Sequence, residues 1–360
     1  MSEFESILLY FAVFLISTAC FSCYRSTINI IKKAGVSLSV IIPAIFAGLR
    51  YEVGTDYANY YYGFSILKRM SLAALFHGSY YLNIEKFFSL ISKLLLYVFN
   101  EKAIFGIWSG IIVFIYVYTL IHFYPDYDLS IAYFAVLTIF YSASFNILRQ
   151  EIAISLVFFS IHYVYEDKFK NFIITILIAT LIHSSAIVGI IIYFCWNHKT
   201  HYSRNLLHNW KTILLILIFL LTWKQLLPKL TFISFVQKFY DAYSSGNQGS
   251  NFSFLLKLIL LIFFIYFEDA LALNDEKMRF FILLFMIGTL LEYTGYYSTF
   301  VKRIGLYFSV SEILIFSNIR KIFTKRSEFL VRIIIFTLLY LEFFVLFYIL
   351  KQSDMIPYKM

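Results

Sequence analysis

The sequence predicts an all-α protein that crosses a membrane about ten to twelve times, and three observations carry that prediction. Of 360 residues, 61% are hydrophobic and only 14% are charged, where water-soluble domains carry roughly a quarter charged residues. Apolar runs recur from one end to the other, so no stretch is left over to build a water-soluble core. The runs are also continuous rather than alternating, which excludes a membrane β-barrel. A single membrane domain over residues 1–360 follows.

The runs justify themselves in order. The acidic start MSEFES lacks the basic region of a cleaved leader, so run 6–24 reads as a retained helix. A span needs about 20 apolar residues, and clear runs follow at 103–122, 130–147, 151–165, 171–195, 211–227, 253–268, 279–294, 304–317 and 328–350. Two more are weaker: 36–49, and 83–99 with Lys86 and Lys93 inside it. The 14 residues of 36–49 would reach roughly 21 Å against a ~30 Å hydrocarbon core, leaving Arg50 in a recess. Arg25, Lys32 and Lys33 put the first connector in the cytoplasm. Connectors 50–82 and 228–252 then read as extracytoplasmic loops. Two basic connectors, 166–170 and 197–211, both read as cytoplasmic, yet only run 171–195 separates them. Either that run breaks at His183-Ser184-Ser185, or one connector departs from the rule. A break requires its exposed backbone to be buried in protein or to line a cavity.

Composition also excludes some functions. The net charge of +9 comes from Lys and Arg in short connectors, with no basic tail, so nucleic acid is not a partner. Cys20 and Cys23 have C-x-x-C spacing but lie inside an apolar run, where small buried residues are expected. His198, His201 and His208 share a helical spacing without an Asp, Glu or Cys, which reads as a surface helix and no metal site. Asp126-Tyr127-Asp128 is a short interhelical turn. No Walker A, H-E-x-x-H or G-x-S-x-G motif occurs, so no cofactor is called for.

Four polar stretches lie in or beside apolar runs, where a charge costs about 3 kcal/mol or more unless it has a partner or a task. In GLRYEVGTDYANYYYGF (48–64), Arg50 and Asp56 flank Gly54, followed by Tyr57, Tyr60, Tyr61 and Tyr62. A planar guanidinium suits phosphate oxygens, and Asp56 could accept a proton from a sugar hydroxyl. The tyrosines read either as an interfacial belt or as platforms for sugar rings. In NILRQEIAIS (146–155), Arg149 and Glu151 sit where two runs meet almost without a linker, and Asn146 could cap the next helix. Glu151, Ser155 and His162 share one helical face to within about 40°. Arg149 is therefore either a snorkelling cap or a site residue. His183 is either a hydrogen-bonded structural histidine or a general base. In YYSTFVKRIGLYFSV (296–310), Lys302 reads as an anchor, Arg303 lies nearer the apolar run, and Tyr307 follows one turn on.

Taken in order, these stretches resemble the EpsG family, a branch of the Wzy-type polymerases of bacterial O-antigen, capsule and exopolysaccharide. The resemblance rests on Arg50, Gly54, Asp56, Tyr57 and Tyr60; on Arg149, Gln150 and Ala153; on His183, Ser184 and Ser185; and loosely on Arg303. One departure is visible in NIEKFF (83–88), where Lys86 replaces the proline of a Glu-Pro-like helix start. The resemblance implies a fold similar to the polytopic GT-C-like glycosyltransferases that use lipid-linked donors. It implies transfer of a glycan chain from undecaprenyl pyrophosphate to the next lipid-linked repeat unit, on the extracytoplasmic face of the bacterial plasma membrane. Donor, acceptor and membrane lipid would be the partners, with a chain-length regulator protein as a further one. Arg149, Arg50 and Arg303 would bind pyrophosphate, Asp56 or His183 would be the base, and Tyr57, Tyr60 and Tyr307 would face sugars. Two rivals remain. A flippase for the same lipids would want the same arginines, but the two related halves common in transporters are not visible. A membrane acyltransferase would want an acid beside His183, and none is adjacent in sequence.

Overall fold

The structure is a computed structural model and describes residues 1–77, 85–196, 218, 252–294 and 299–360. Apart from Ile218 and Phe252, run 211–227, connector 197–211, loop 228–252 and the three histidines at 198, 201 and 208 lie outside the described residues. So do 78–82, the end of the first loop. Among the described residues every regular element is helical and no strand occurs. The chain forms two compact units: Met1–His162 with Asn171–Ile187 and Phe323–Met360, and Tyr163–Lys170 with Val188–Ile322.

The first unit opens with α1 (Glu3–Ser22), set by a capping box in which Ser2 and Glu5 satisfy each other's backbone N–H. Helix α2 (Asn29–Leu49) packs along α1 and along α6 (Glu101–Phe123). The α2–α6 crossing is close because Gly48 faces Gly106: a Cβ on Gly106 would meet the Ala44 carbonyl oxygen at 2.7 Å. Between them run α3 (Tyr57–Arg69), α4 (Leu72–His77) and α5 (Lys86–Leu95). Helix α7 (Leu129–Ala135), capped by Asp128, continues into a wide π turn over Val136–Tyr141. Then come α8 (Leu148–Tyr165) and α9 (Phe169–Ile182). Helix α16 (Glu328–Phe343) packs against α7, with Arg332 Nε 3.2 Å from Asp128 Oδ2.

In the second unit, α13 (Lys277–Thr294) is the hub. It packs on α10 (Ile190–Cys195), α11 (Phe252–Tyr266), α12 (Glu268–Asn274), α14 (Thr299–Ser309) and α15 (Glu312–Phe316). Lys257 on α11 lies buried between Glu292 (3.0 Å) and Glu312 (4.0 Å), with Lys302 3.6 Å from Glu292.

Glu3–Arg25, Asn29–Leu49, Glu101–Phe123 and Glu328–Ile349 are long and apolar enough to cross a membrane, while Leu129–Tyr141, Phe169–Ile182, Ser184–Cys195 and Phe252–Tyr266 are apolar but shorter. Ile16, Ile30, Leu177 and Phe329 turn outward from these helices, as side chains that face lipid do. The chain is an integral membrane protein.

Three readings change. Helix α2 begins seven residues before run 36–49 and holds 21 residues, roughly 31 Å and enough for a full crossing. Lys32 and Lys33 are not connector: they are the fourth and fifth residues of the helix, and the Lys32 ammonium lies 4.4 Å from the Tyr24 ring. The recess argued for Arg50 from a short helix therefore falls. Run 83–99 yields only the ten residues of α5, too few to cross. Asn146 is turned to Thr55, accepting its hydroxyl at 2.9 Å. The expected break in 171–195 is present: α9 ends at Ile182 and a 3-10 segment runs from Ser184 to Gly189.

Candidate functional site

Three segments of the first unit meet at one carboxylate. Glu85 precedes α5 but does not cap it; its side chain turns away from its own helix. One oxygen, Oε2, takes a short charge-assisted hydrogen bond from Arg149 Nη1. The other, Oε1, lies 2.9 Å from His183 Nδ1 and accepts the Ser184 backbone N–H at 3.0 Å. The break after α9 supplies that donor: a continued helix would have spent the Ser184 N–H on its own carbonyl ladder. His183 Nδ1 is off the line of its N–H toward Glu85, a close contact rather than an aligned hydrogen bond. Burial pushes the Glu85 carboxyl up, but the His183 contact and the Arg149 guanidinium outweigh it and hold it down at about 2.

The site is not sealed: the side chains of Glu85, Arg149 and His183 are 18%, 20% and 23% exposed. Arg149 offers five N–H donors, and Glu85 is its one side-chain carboxylate partner among the described residues. Its Nε is buried without an acceptor. Tyr60, one turn into α3, brings its hydroxyl within 3.5 Å of the Arg149 backbone nitrogen. Asp56 is the residue before α3 and half-buried, at the end of a loop that packs on the turn leading to α8. Gly54 makes that packing possible: its φ is +96° and a Cβ there would lie 2.6 Å from the Phe145 carbonyl oxygen.

Arg50 sits differently. It is wholly buried, its three guanidinium nitrogens find no acceptor, and its charge is held by the rings of Phe145 (4.1 Å), Phe105 (4.8 Å) and Tyr57 (5.8 Å). Tyr57 stacks on Phe105 at 4.8 Å and is 3% exposed. On α8, Glu151 is buried and accepts the Tyr116 hydroxyl at 2.8 Å, while His162 stacks on Phe123. Arg303 and Tyr307 belong to the second unit on α14, with Tyr307 buried and Arg303 half-buried. The described residues hold no cluster of His, Cys, Asp and Glu able to bind a metal.

Arg149 and His183, separated by 34 positions, are thus brought together, with Tyr60 beside them. The residue that joins them, Glu85, carries no sequence signal of its own: in NIEKFF the visible departure is its neighbour Lys86 in the proline position. Glu85 is also the acid beside His183 that adjacency in sequence did not reveal.

Comparison with known proteins found no matching curated protein and no matching solved structure. The EpsG family, however, matches residues 33–360, a span that takes in Arg50, Asp56, Glu85, Arg149, His183 and Arg303 alike. With nearly the whole chain matched, the protein belongs to the EpsG family, a Wzy-like family of polysaccharide polymerases.

Proposed function

We propose that the protein is a glycosyltransferase of exopolysaccharide, capsule or O-antigen assembly. In this reading it transfers a growing glycan from undecaprenyl pyrophosphate to a sugar hydroxyl of the next lipid-linked repeat unit. The observation that carries it is Arg149, a partly exposed guanidinium with spare donors, held beside an imidazole. As the bond to the anomeric carbon breaks, negative charge gathers on the leaving pyrophosphate, and a fixed cation there lowers the barrier. Arg149 is the ligand proposed for that group.

His183 or Asp56 takes the proton of the acceptor hydroxyl. Burial of Arg50 among aromatic rings supports a different task for it, holding the loop that carries Asp56. Tyr60, at the edge of the site, is the tyrosine best placed to meet a sugar. The reaction is assigned to the extracytoplasmic face of the bacterial plasma membrane, where a chain-length regulator could join.

The test is the chain-length profile of cells carrying Arg149→Ala. Protein should stay in the membrane at normal levels while the polysaccharide collapses to single repeat units on the outer face. Long chains in that strain would refute the proposal. Repeat units trapped on the inner leaflet would point to a flippase, and full-length polymer lacking an acyl group to an acyltransferase.

A further inference from the structure

We infer that Glu85 is the positioning residue of this site, the resident anion that Arg149 holds when no donor is bound and the partner that readies His183 for its proton. The inference rests on the polymerase reading and adds to it a residue with two competing duties. Its geometry is the bridge itself: Oε2 on Arg149 Nη1, Oε1 against His183 Nδ1 and the Ser184 N–H. A carboxylate needed only to neutralise Arg149 would not take its second oxygen to an imidazole from another helix. A carboxylate needed only to end α5 would cap it, and Glu85 does not.

The bridge has a consequence for binding. A donor pyrophosphate must take donors on Arg149 while a carboxylate of the same sign already occupies Nη1. Donor binding therefore works against Glu85 through like-charge repulsion and competition for one N–H. Once the pyrophosphate has drawn Arg149, Glu85 is left with His183 and Ser184. The other ring nitrogen, Nε2, makes no hydrogen bond to a described residue and is the one left for substrate.

In the transfer, Nε2 takes the proton of the acceptor hydroxyl as its oxygen bonds to the anomeric carbon. The bond from that carbon to the pyrophosphate oxygen breaks, and its electron pair leaves with the pyrophosphate against Arg149. The imidazolium so formed faces the Glu85 carboxylate, which stabilises it, and the proton then passes to water.

Glu85→Gln separates the two duties because it keeps the shape and removes the charge. Purified protein in lipid nanodiscs would be titrated with undecaprenyl pyrophosphate, and the same variants scored for polymer length in cells. Glu85→Gln should bind the lipid about threefold to tenfold more tightly than wild type. Its polymerisation should nonetheless fall on the order of 100-fold, the usual weight of a general base. A purely structural glutamate would weaken both or leave both unchanged, and either result overturns the inference.

If Glu85→Gln does not accumulate, Glu85→Ala takes its place. It removes the charge together with both contacts, and the same opposed changes are expected. Wild type that fails to bind the lipid, or Arg149→Ala that still makes long chains, would count against the polymerase reading. Wild type that binds, with Arg149→Ala inactive and Glu85→Gln no tighter, would count against Glu85 alone.

Discussion

Glu85 binds fewer protons in the folded chain than in the unfolded one, since its pKa falls from 4.5 to about 2. A carboxylate depressed in this way stabilises the fold fully above pH 4.5 and loses that contribution as pH falls from there toward 2. Detergent-solubilised protein should therefore melt at progressively lower temperature through that acid window, and Glu85→Gln should show a shallower slope. An identical slope in the variant would mean that the bridge to Arg149 and His183 does not form in solution. Gly54 carries a second prediction. With φ at +96° and no space for a Cβ against Phe145, Gly54→Ala should cost about 1–3 kcal/mol. Polymer length should shorten in that strain, because the loop that ends in Asp56 would have to lift from the turn before α8. Thermal melting together with the polysaccharide profile checks both halves.

Helix α2 shows how a broken rule inside an element is repaired by its neighbours. Pro43 lies in its interior and has no N–H, so the Ser39 carbonyl loses its helical donor. In a membrane no water replaces it. The Tyr133 hydroxyl from α7 donates to the Ser39 carbonyl instead, and the Tyr141 hydroxyl from the π turn donates to the Pro43 carbonyl at 2.7 Å. Two wholly buried tyrosines in an apolar run thus have a stated use. Tyr133→Phe keeps the ring and removes the donor, so it should cost about 1–3 kcal/mol. Adding Pro43→Ala should recover much of that loss, because residue 43 would again present an N–H to Ser39. A double-mutant melting series tests this, and simple additivity of the two changes would contradict it. The break after α9 belongs to the same logic: it frees the Ser184 N–H, and Glu85 accepts it.

What the sequence made legible is what local pattern controls. The apolar runs locate most helices, and the two basic connectors around 171–195 point to the break at His183. Arg149 and His183 stand out because charged or titratable groups are costly where they lie. The start of α2 was obscured because Lys32 and Lys33 look like connector until their stems are seen lying along a helix. Glu85 was obscured for another reason: its partners are 64 and 98 positions away, and pairing at that separation leaves no periodicity to read. The burial of Arg50 is non-local in the same sense, for part of what encloses it comes from the far end of the chain. Residues 351–360 return along the loop at 50–56, where Lys359, Asp354 and Ser353 carbonyls accept the N–H groups of Tyr51, Gly54 and Thr55 at 2.8, 2.9 and 3.2 Å. Tyr358 is buried, stacks on Phe46 at 4.3 Å, and takes its backbone hydrogen bond to Ser6 at 2.9 Å. The tail thus ties the first helix, the Arg50 loop and the last helix together without crossing the membrane itself. Deleting 351–360 should leave insertion intact, since every spanning helix ends before it. It should nonetheless abolish long polymer, because the loop loses three backbone acceptors and the aromatic cover beside Arg50 opens. Tyr358→Ala should give a milder version, with shorter chains and a lower melting temperature. Full-length polymer from the truncated protein would show that the loop holds its shape without the tail.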